Sequence, residues 1–404
     1  MSTEQTLISV RDAERLIAEH GAPYGTLRLH LNDCVGRVLH EDVVSDRDQP
    51  PFHRVAMDGI AIRFAGWESG RREFRIEGTH HAGEPAPTLQ DPDGCYEVMT
   101  GSVLPQGCDC VIRVEDIHVA NGAATLSERA TAGLMQNVHQ HGSDRSAGDI
   151  LIGRGARLTS PHIAIAASVG MGELSVDREP AIALVSNGDE LVDVHESVAP
   201  YQIRRSNIYA VESGLRSRGY SDLHRFHLPD EQAVVERGLE QILEDHDVLL
   251  LSGGVSAGQH DFIPGALQKL GVRPVFHKVL QRPGLPFWFG VAEGNKQVFA
   301  MPGNPVSTLI CFYRYVVPQL AINAGLPREP EFAVLGEDTV FKKDLTLFLP
   351  VGLVPGDGGL RVAEPRPTHG SGDFCGLAPT DGFVELPAGA DRFPSGTICR
   401  LYRW

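Results

Sequence analysis

The chain has 404 residues, 42% hydrophobic and 22% charged, with 52 Asp and Glu against 36 Lys and Arg, a formal net charge of −16. That length predicts two or three domains, and the composition excludes a disordered or collagen-like chain. The acidic balance argues against nucleic acid or an anionic membrane as partner, because both need a positive surface; a small anion in a local pocket stays open.

The first predicted element is a helix. Ser9 can cap it, with Asp12 three residues on, Val10, Ala13, Leu16 and Ile17 form one apolar stripe, and Gly21 stops it. Residues 27–46 read as short extended pieces. Residues 47–147, rich in Gly, Pro and short apolar runs, read as an all-β module with a hairpin turn at Asn121-Gly122. A strand at Ile150–Ile152 precedes a short helix opening at Ser160-Pro161 and stopping near Gly170. From Pro180 strands alternate with helices. Strands are expected at Ala181–Val185, Asp222–His227, Val248–Leu251, Val272–Leu280, Phe287–Val291 and Val298–Ala300, and a long helix from Asn304 to about Ala324. This predicts a mostly parallel sheet covered on both faces, with ligands at the carboxyl ends of its strands. Beyond a linker at Leu326-Pro327 and Pro330, a β-barrel-like module closes the chain.

No apolar run approaches the roughly 18–20 residues that span a bilayer, and Met1-Ser2-Thr3-Glu4-Gln5 has no secretory pattern. Seven scattered cysteines (34, 95, 108, 110, 311, 375, 399) lack zinc or redox spacing. The expectation is a cytoplasmic protein with reduced thiols.

Four loops carry chemistry. Ser252-Gly253-Gly254-Val255-Ser256-Ala257-Gly258, between a buried strand and a helix, lets backbone N–H groups and hydroxyls approach an anion, or is a tight turn. It is neither a Walker A loop nor G-x-G-x-x-G. In Met301-Pro302-Gly303-Asn304-Pro305-Val306-Ser307, Asn304 suits an N-cap and Ser307 an oxyanion, or the segment is plain capping. Lys278 and Arg282 precede the rigid Pro283-Gly284-Leu285-Pro286 turn, as an anion site or as surface charges. Asp58, Asp144, Asp189-Glu190, Asp230 and Asp261 sit beside glycines or in loops; converged, such carboxylates bind Mg²⁺, and singly they form turns. His139-x-His141 lacks the further ligands of a metal site.

Taken in order, Ala56-Met57-Asp58-Gly59, Ala82-Gly83-Glu84-Pro85, Met99-Thr100-Gly101, Gly107–Val111, Ser186–Leu191, Ser206-Asn207, Ser252–Gly258 with Asp261, Pro283-Gly284, Met301–Ser307 and Gly370-Ser371-Gly372 resemble the molybdopterin molybdenumtransferase family over nearly the whole chain. The resemblance implies a multidomain α/β fold with added β modules. An elongated domain (1–46 plus 148–177), a β-rich domain (47–147), a three-layer molybdopterin-binding domain (178–326) and a C-terminal β-barrel (327–404) are expected. It further implies a homodimer, with the site between the α/β domain of one subunit and the β module of the other. The implied reaction takes molybdate and adenylylated molybdopterin, with Mg²⁺, and gives molybdenum cofactor and AMP. Pathway partners would be a molybdopterin adenylyltransferase and maturation factors of molybdoenzymes. By the same resemblance Asp58, Thr100, Asp144, Glu190, Asp230, Asp261 and Lys278 are catalytic, with Asp58, Glu190 and Asp261 on the metal. Ser252, Gly253, Gly254, Ser256, Gly258, Arg282, Pro283, Gly284, Asn304, Ser307 and Ser371 bind the substrates, the oxyanion falling to Lys278, Arg282, Ser307 and Ser371.

The chain also departs from the family pattern. Pro-Gly-Lys-Pro is usual where Leu285 stands, and Asp344–Pro350 lacks the family's Gly-Arg and its later Arg. The alternative reading is therefore a non-catalytic scaffold, or a paralogue using another oxyanion such as tungstate.

Overall fold

Ser9 accepts a hydrogen bond from the Asp12 N–H at 3.0 Å and opens helix α1 (Val10–Ala18), which buries Val10, Ala13 and Ile17 on one face. The computed structural model describes residues 7–254, 262–327 and 329–404. The chain divides into two bodies. One holds the described residues up to Arg28, with Gly36–His40 and Ser175–Trp404; the other holds Leu29–Val35 and Glu41–Leu174.

The smaller body is built on a six-stranded sheet. Its strands are β1 (Gly59–Ile62), β2 (Glu73–His80), β3 (Gly94–Val98), β4 (Cys110–Arg113), β5 (Ile117–Ala120) and β6 (Ala123–Leu126), in the order β4-β1-β3-β2-β6-β5. Asn121 and Gly122, both at positive φ, join β5 to β6, the conformation a two-residue hairpin turn demands. Ile60, Ile62, Phe74, Cys95, Cys110 and Ile112 pack on one face, and Ala61, Val98 and Val111 go to the other. A short helix α2 (Phe64–Glu68), not expected from the sequence, follows β1. Helix α3 (Ser160–Ser168) is capped by Thr159, one residue earlier than expected, with the His162 ring closing the capping box.

The larger body begins with a sheet between two helix layers. It comprises β7 (Ile182–Asn187), α4 (Ser206–Arg216), β8 (Leu223–Leu228), α5 (Gln232–Asp245), β9 (Val248–Ser252), α6 (Ile263–Lys269), β10 (Arg273–His277), β11 (Gln281–Arg282), β12 (Trp288–Ala292) and β13 (Lys296–Met301). The sheet order is β8-β7-β9-β13-β12-β10, parallel through the first four strands, with β12 alone reversed and so antiparallel to both β13 and β10. Side chains alternate across it, as a strand's period of two requires. Ile182, Leu184, Val248, Leu250 and Phe299 meet α1, α4 and the helix after β13. Ala183, Val185, Leu249, Leu251 and Val298 meet α5 and α6.

The long helix expected from Asn304 is α7 (Pro305–Cys311), a π turn (Phe312–Val316) and α8 (Val317–Asn323). The widened turn precedes Pro318, which has no N–H for the carbonyl four residues earlier and crowds it. That earlier residue is Arg314, whose side chain is 1% exposed. Its Nη2 donates to Glu14 at 2.7 Å and its Nε to Glu385 at 2.9 Å; Arg400 adds to Glu14 and Tyr402 to Glu385.

The last strands are β14 (Glu331–Leu335), β15 (Thr346–Pro355), β16 (Arg361–Pro365), β17 (Gly382–Leu386) and β18 (Ile398–Arg403). They run β15-β16-β14-β18-β17 and return to β15, a closed barrel around Leu335, Val351, Ala363, Val384 and Leu401. Strand β11 adds to β15 in parallel, with Gln281 opposite Thr346 and Arg282 opposite Leu347. All seven cysteines are free thiols. Among the described residues no helix is long and apolar enough to cross a membrane.

Arg314→Ala leaves part-buried Glu385 without its cation, while Glu14 keeps Arg400. It is expected to cost about 3–5 kcal/mol, read as the loss of unfolding free energy in urea titrations.

Candidate functional site

Strands β7, β8, β9 and β13 end together, and their carboxyl ends form a cavity of about 610 Å³. Ser186 and Asn187 come from β7, Asp230 from the loop after β8, Ser252, Gly253 and Gly254 from β9 and its turn, and Pro302, Gly303 and Asn304 from the turn after β13. The two glycines are needed here. Both have positive φ, and a Cβ would lie 2.7 Å from the Asn187 carbonyl oxygen at Gly253 and 2.5 Å from Asn187 Oδ1 at Gly254. Asn207, at the start of α4, ties these turns together: its Nδ2 lies 2.9 Å from Ser252 Oγ, 2.8 Å from Gly303 O and 3.1 Å from Thr308 Oγ1. Glu190 folds against Gly188, and the Asp230 N–H donates to Asp189 at 3.0 Å. Arg204 and Arg205 complete the lining, Arg205 paired with Asp193.

A second cavity, of about 700 Å³, shares Pro286, Pro302 and Asn304 with the first. Its lining includes Arg282 of β11, Pro283, Gly284 and Leu285 of the turn after it, Ser307 of α7, Lys343 and Leu345 ahead of β15, and His369, Gly370 and Ser371. The Arg282–Pro283 peptide is cis. Gln281 secures this turn from behind. Its Nε2 donates to the Gly284 carbonyl at 3.0 Å, and Tyr315 Oη donates to its Oε1 at 2.5 Å. Asn304 stands at the N-cap of α7, yet its side chain does not cap the helix. Its Nδ2 donates to Ser371 Oγ at 2.9 Å, and the Val306 N–H donates to the Ser371 carbonyl, so the loop carrying Ser371 is pinned to the start of α7.

In the smaller body Asp58 and Thr100 meet. One Asp58 oxygen accepts from both the Thr100 N–H and its hydroxyl, each at 2.7 Å. These two donors hold the exposed Asp58 carboxyl below its ordinary range. Gly59 follows as the first residue of β1, where a Cβ would come within 1.8 Å of the Ile112 carbonyl oxygen. On a neighbouring loop His139 Nε2 lies 2.7 Å from Asp144, whose carboxyl is likewise held low by that contact. His139 thus partners a carboxylate and Arg54, and among the described residues no group of three or more His, Cys, Asp or Glu is placed to hold a metal ion.

Comparison with known proteins fits this architecture. Residues 8–170 match the model of the MoeA N-terminal region (domain I and II), 183–322 that of a probable molybdopterin binding domain, and 333–404 that of the MoeA C-terminal region (domain IV). A molybdopterin molybdenumtransferase of Synechocystis is 38% identical over 98% of this chain and 100% of its own length. The chain belongs to the molybdopterin molybdenumtransferase family. A second relative of that name, from Synechococcus elongatus, is 34% identical over 95% of this chain and 96% of its own. The crystal structure of the molybdopterin biosynthesis MoeA protein from Pyrococcus horikoshii superposes with a TM-score of 0.81 at 27% identity, covering 98% of this chain and 99% of that one. The expected fold class, α/β with β modules and a closed C-terminal barrel, is the one this family has.

Against that membership the expected site residues fall into groups. Glu190, Asp230, Ser252, Gly253, Gly254 and Asn304 line the first cavity; Arg282, Pro283, Gly284, Asn304, Ser307 and Ser371 line the second. Asp58 joins Thr100, and Asp144 joins His139, in the smaller body. Lys278 lines neither cavity; its backbone carbonyl accepts from Ile8 and its N–H donates to Phe287. Ser256, Gly258 and Asp261 lie outside the described residues. The lining residues that had been given no role include Asn207, Arg204, Arg205 and Lys343. Asn207 was visible within the Ser206-Asn207 motif; the other three had no signal beyond their charge.

Thr100→Val removes one donor to Asp58 and is expected to move its titration midpoint up toward 3.8, read by carboxyl ¹³C NMR. Because the native value is depressed, the ionised form's contribution to stability is full above the unfolded value and is lost as pH falls through the native one. The variant should narrow that acid window.

Proposed function

We propose that the chain inserts molybdenum from molybdate into adenylylated molybdopterin, cleaving the phosphoanhydride and releasing AMP. The observation that carries this reading is the pair of adjoining cavities in one body. The first offers what a phosphate-bearing nucleotide needs: small residues at the carboxyl ends of parallel strands, two arginines, and close backbone approach at Gly253 and Gly254. The second offers Arg282 and the hydroxyls of Ser307 and Ser371 to an oxyanion. Glu190 and Asp230 border the first cavity as acid–base groups. Asp58, held ionised by Thr100, belongs to the same reading.

Mg²⁺ is part of the proposal. Asp58 and Glu190 are the hard oxygen donors it takes, with Asp261 as the third. Among the described residues no three such ligands are gathered. A homodimer, and an adenylyltransferase supplying the substrate, belong to the same reading.

A second reading is favoured by one observation. Leu285 and Leu345 line the second cavity at the segments where the family pattern carries Lys and Arg. This suits a paralogue for another oxyanion such as tungstate, or a scaffold that binds the pterin nucleotide without turnover.

AMP release from adenylylated molybdopterin, titrated separately with molybdate and tungstate in the presence of Mg²⁺, tests the proposal. Molybdate-stimulated release is expected. Tungstate-only release would establish the paralogue, and tight nucleotide binding without release the scaffold. Asp58→Asn and Glu190→Gln are each expected to slow release by about 10²–10⁴-fold; unchanged rates in both would remove these carboxylates from the chemistry.

A further inference from the structure

The second cavity contains no Asp or Glu in its lining, in a chain that has 52 of them. It does contain Arg282 and Lys343. Among the described residues neither side chain has a hydrogen-bond or ion-pair partner, whereas Arg205 in the first cavity is already paired with Asp193. One cation comes from a strand and the other from the loop leading into that strand's partner. Arg282 lies on β11, opposite Leu347 of β15, and Lys343 stands three residues before the start of β15. The same wall carries the apolar side chains Leu285 and Leu345. Two uncompensated cations facing one concavity, with no acid in its wall, form a site of positive potential within an acidic molecule.

We infer that Lys343 is the second cation of the oxyanion site and acts with Arg282 on one dianion. The inference rests on the oxyanion reading of this cavity. It places in the loop before β15 the charge that the turn at Leu285 lacks. The consequence is a particular kind of selectivity. A guanidinium offers a planar fork, whereas an ammonium on a flexible stem offers a point charge. The site therefore selects dianionic charge more sharply than geometry, takes molybdate and tungstate with similar affinity, and weakens as ionic strength rises.

Calorimetric titration of the full chain with sodium molybdate and with sodium tungstate, at low and at high salt, tests this. Lys343→Gln is expected to weaken molybdate binding about tenfold, equivalent to about 1.4 kcal/mol, and to flatten the salt dependence; Lys343→Arg should keep most of the affinity. In the Lys343→Gln background, Leu285→Lys should restore binding, because Leu285 lines the same cavity. Lys342→Gln, next door in the sequence but outside the lining, should change nothing. Unchanged affinity in Lys343→Gln, an equal loss in Lys342→Gln, or no restoration by Leu285→Lys would each overturn the assignment. If the parent binds neither oxyanion, the reading of the cavity itself fails, which the variants' silence alone would not produce.

Discussion

The buried guanidinium of Arg314 is the tie on which the larger body depends. It sits on the π turn and is shared between Glu14 of α1 and Glu385 of the barrel strand β17. Three parts far apart in sequence are thereby held by one side chain. A cation so buried needs close partners, since its desolvation is repaid only by good geometry; here Nη2 and Nε have them and Nη1 has none. Tyr315 and Tyr402 pack against the guanidinium, and Tyr402 also donates to Glu385. The next residue on the π turn, Tyr315, faces the other way functionally. Its hydroxyl holds Gln281, and Gln281 holds the turn that presents Arg282. The same widened turn therefore locks the barrel to the helices and stiffens one wall of the second cavity.

Much of this fold was legible because local chemistry and tertiary structure agree. Ser9 with Asp12, the Asn121-Gly122 hairpin and the apolar run Val248–Leu251 each carry their structural signal within a few residues. Where reading failed, a longer-range term decided. The helix after Asn304 looks continuous in its hydrophobic period, and only Pro318 and the burial of Arg314 explain the π turn. The two antiparallel pairings at the sheet edge both involve β12, whose hairpin-like return into β13 an alternation of strands and helices does not announce.

The site divides in the same manner. Glycine-rich turns declare themselves because few other residues fit them, as Gly253 and Gly254 do beside Asn187. Asn207 stands in a recognisable motif, yet what it does there is not declared. Its partners lie 45, 96 and 101 residues away, so its role exists only after the strands have assembled. Lys278 and Lys343 show the limit most clearly. Both are plain lysines in sequence, and the one beside the recognisable turn lines neither cavity, while the one in the loop before β15 lines the second.

The pairing of β11 with β15 has a consequence for modularity. The matched regions end at residue 322 and resume at 333, as though the barrel were an appended unit. Yet the strand bearing Arg282 is an edge strand of the barrel sheet, and the second cavity takes walls from both sides of that boundary. A stand-alone copy of 183–322 would keep the first cavity's strand ends but lose Lys343, Leu345 and Ser371, and with them half of the second. The unit of inheritance suggested by the matched regions is therefore smaller than the unit that builds this cavity, and exchanging barrels between relatives would exchange half of its wall along with them.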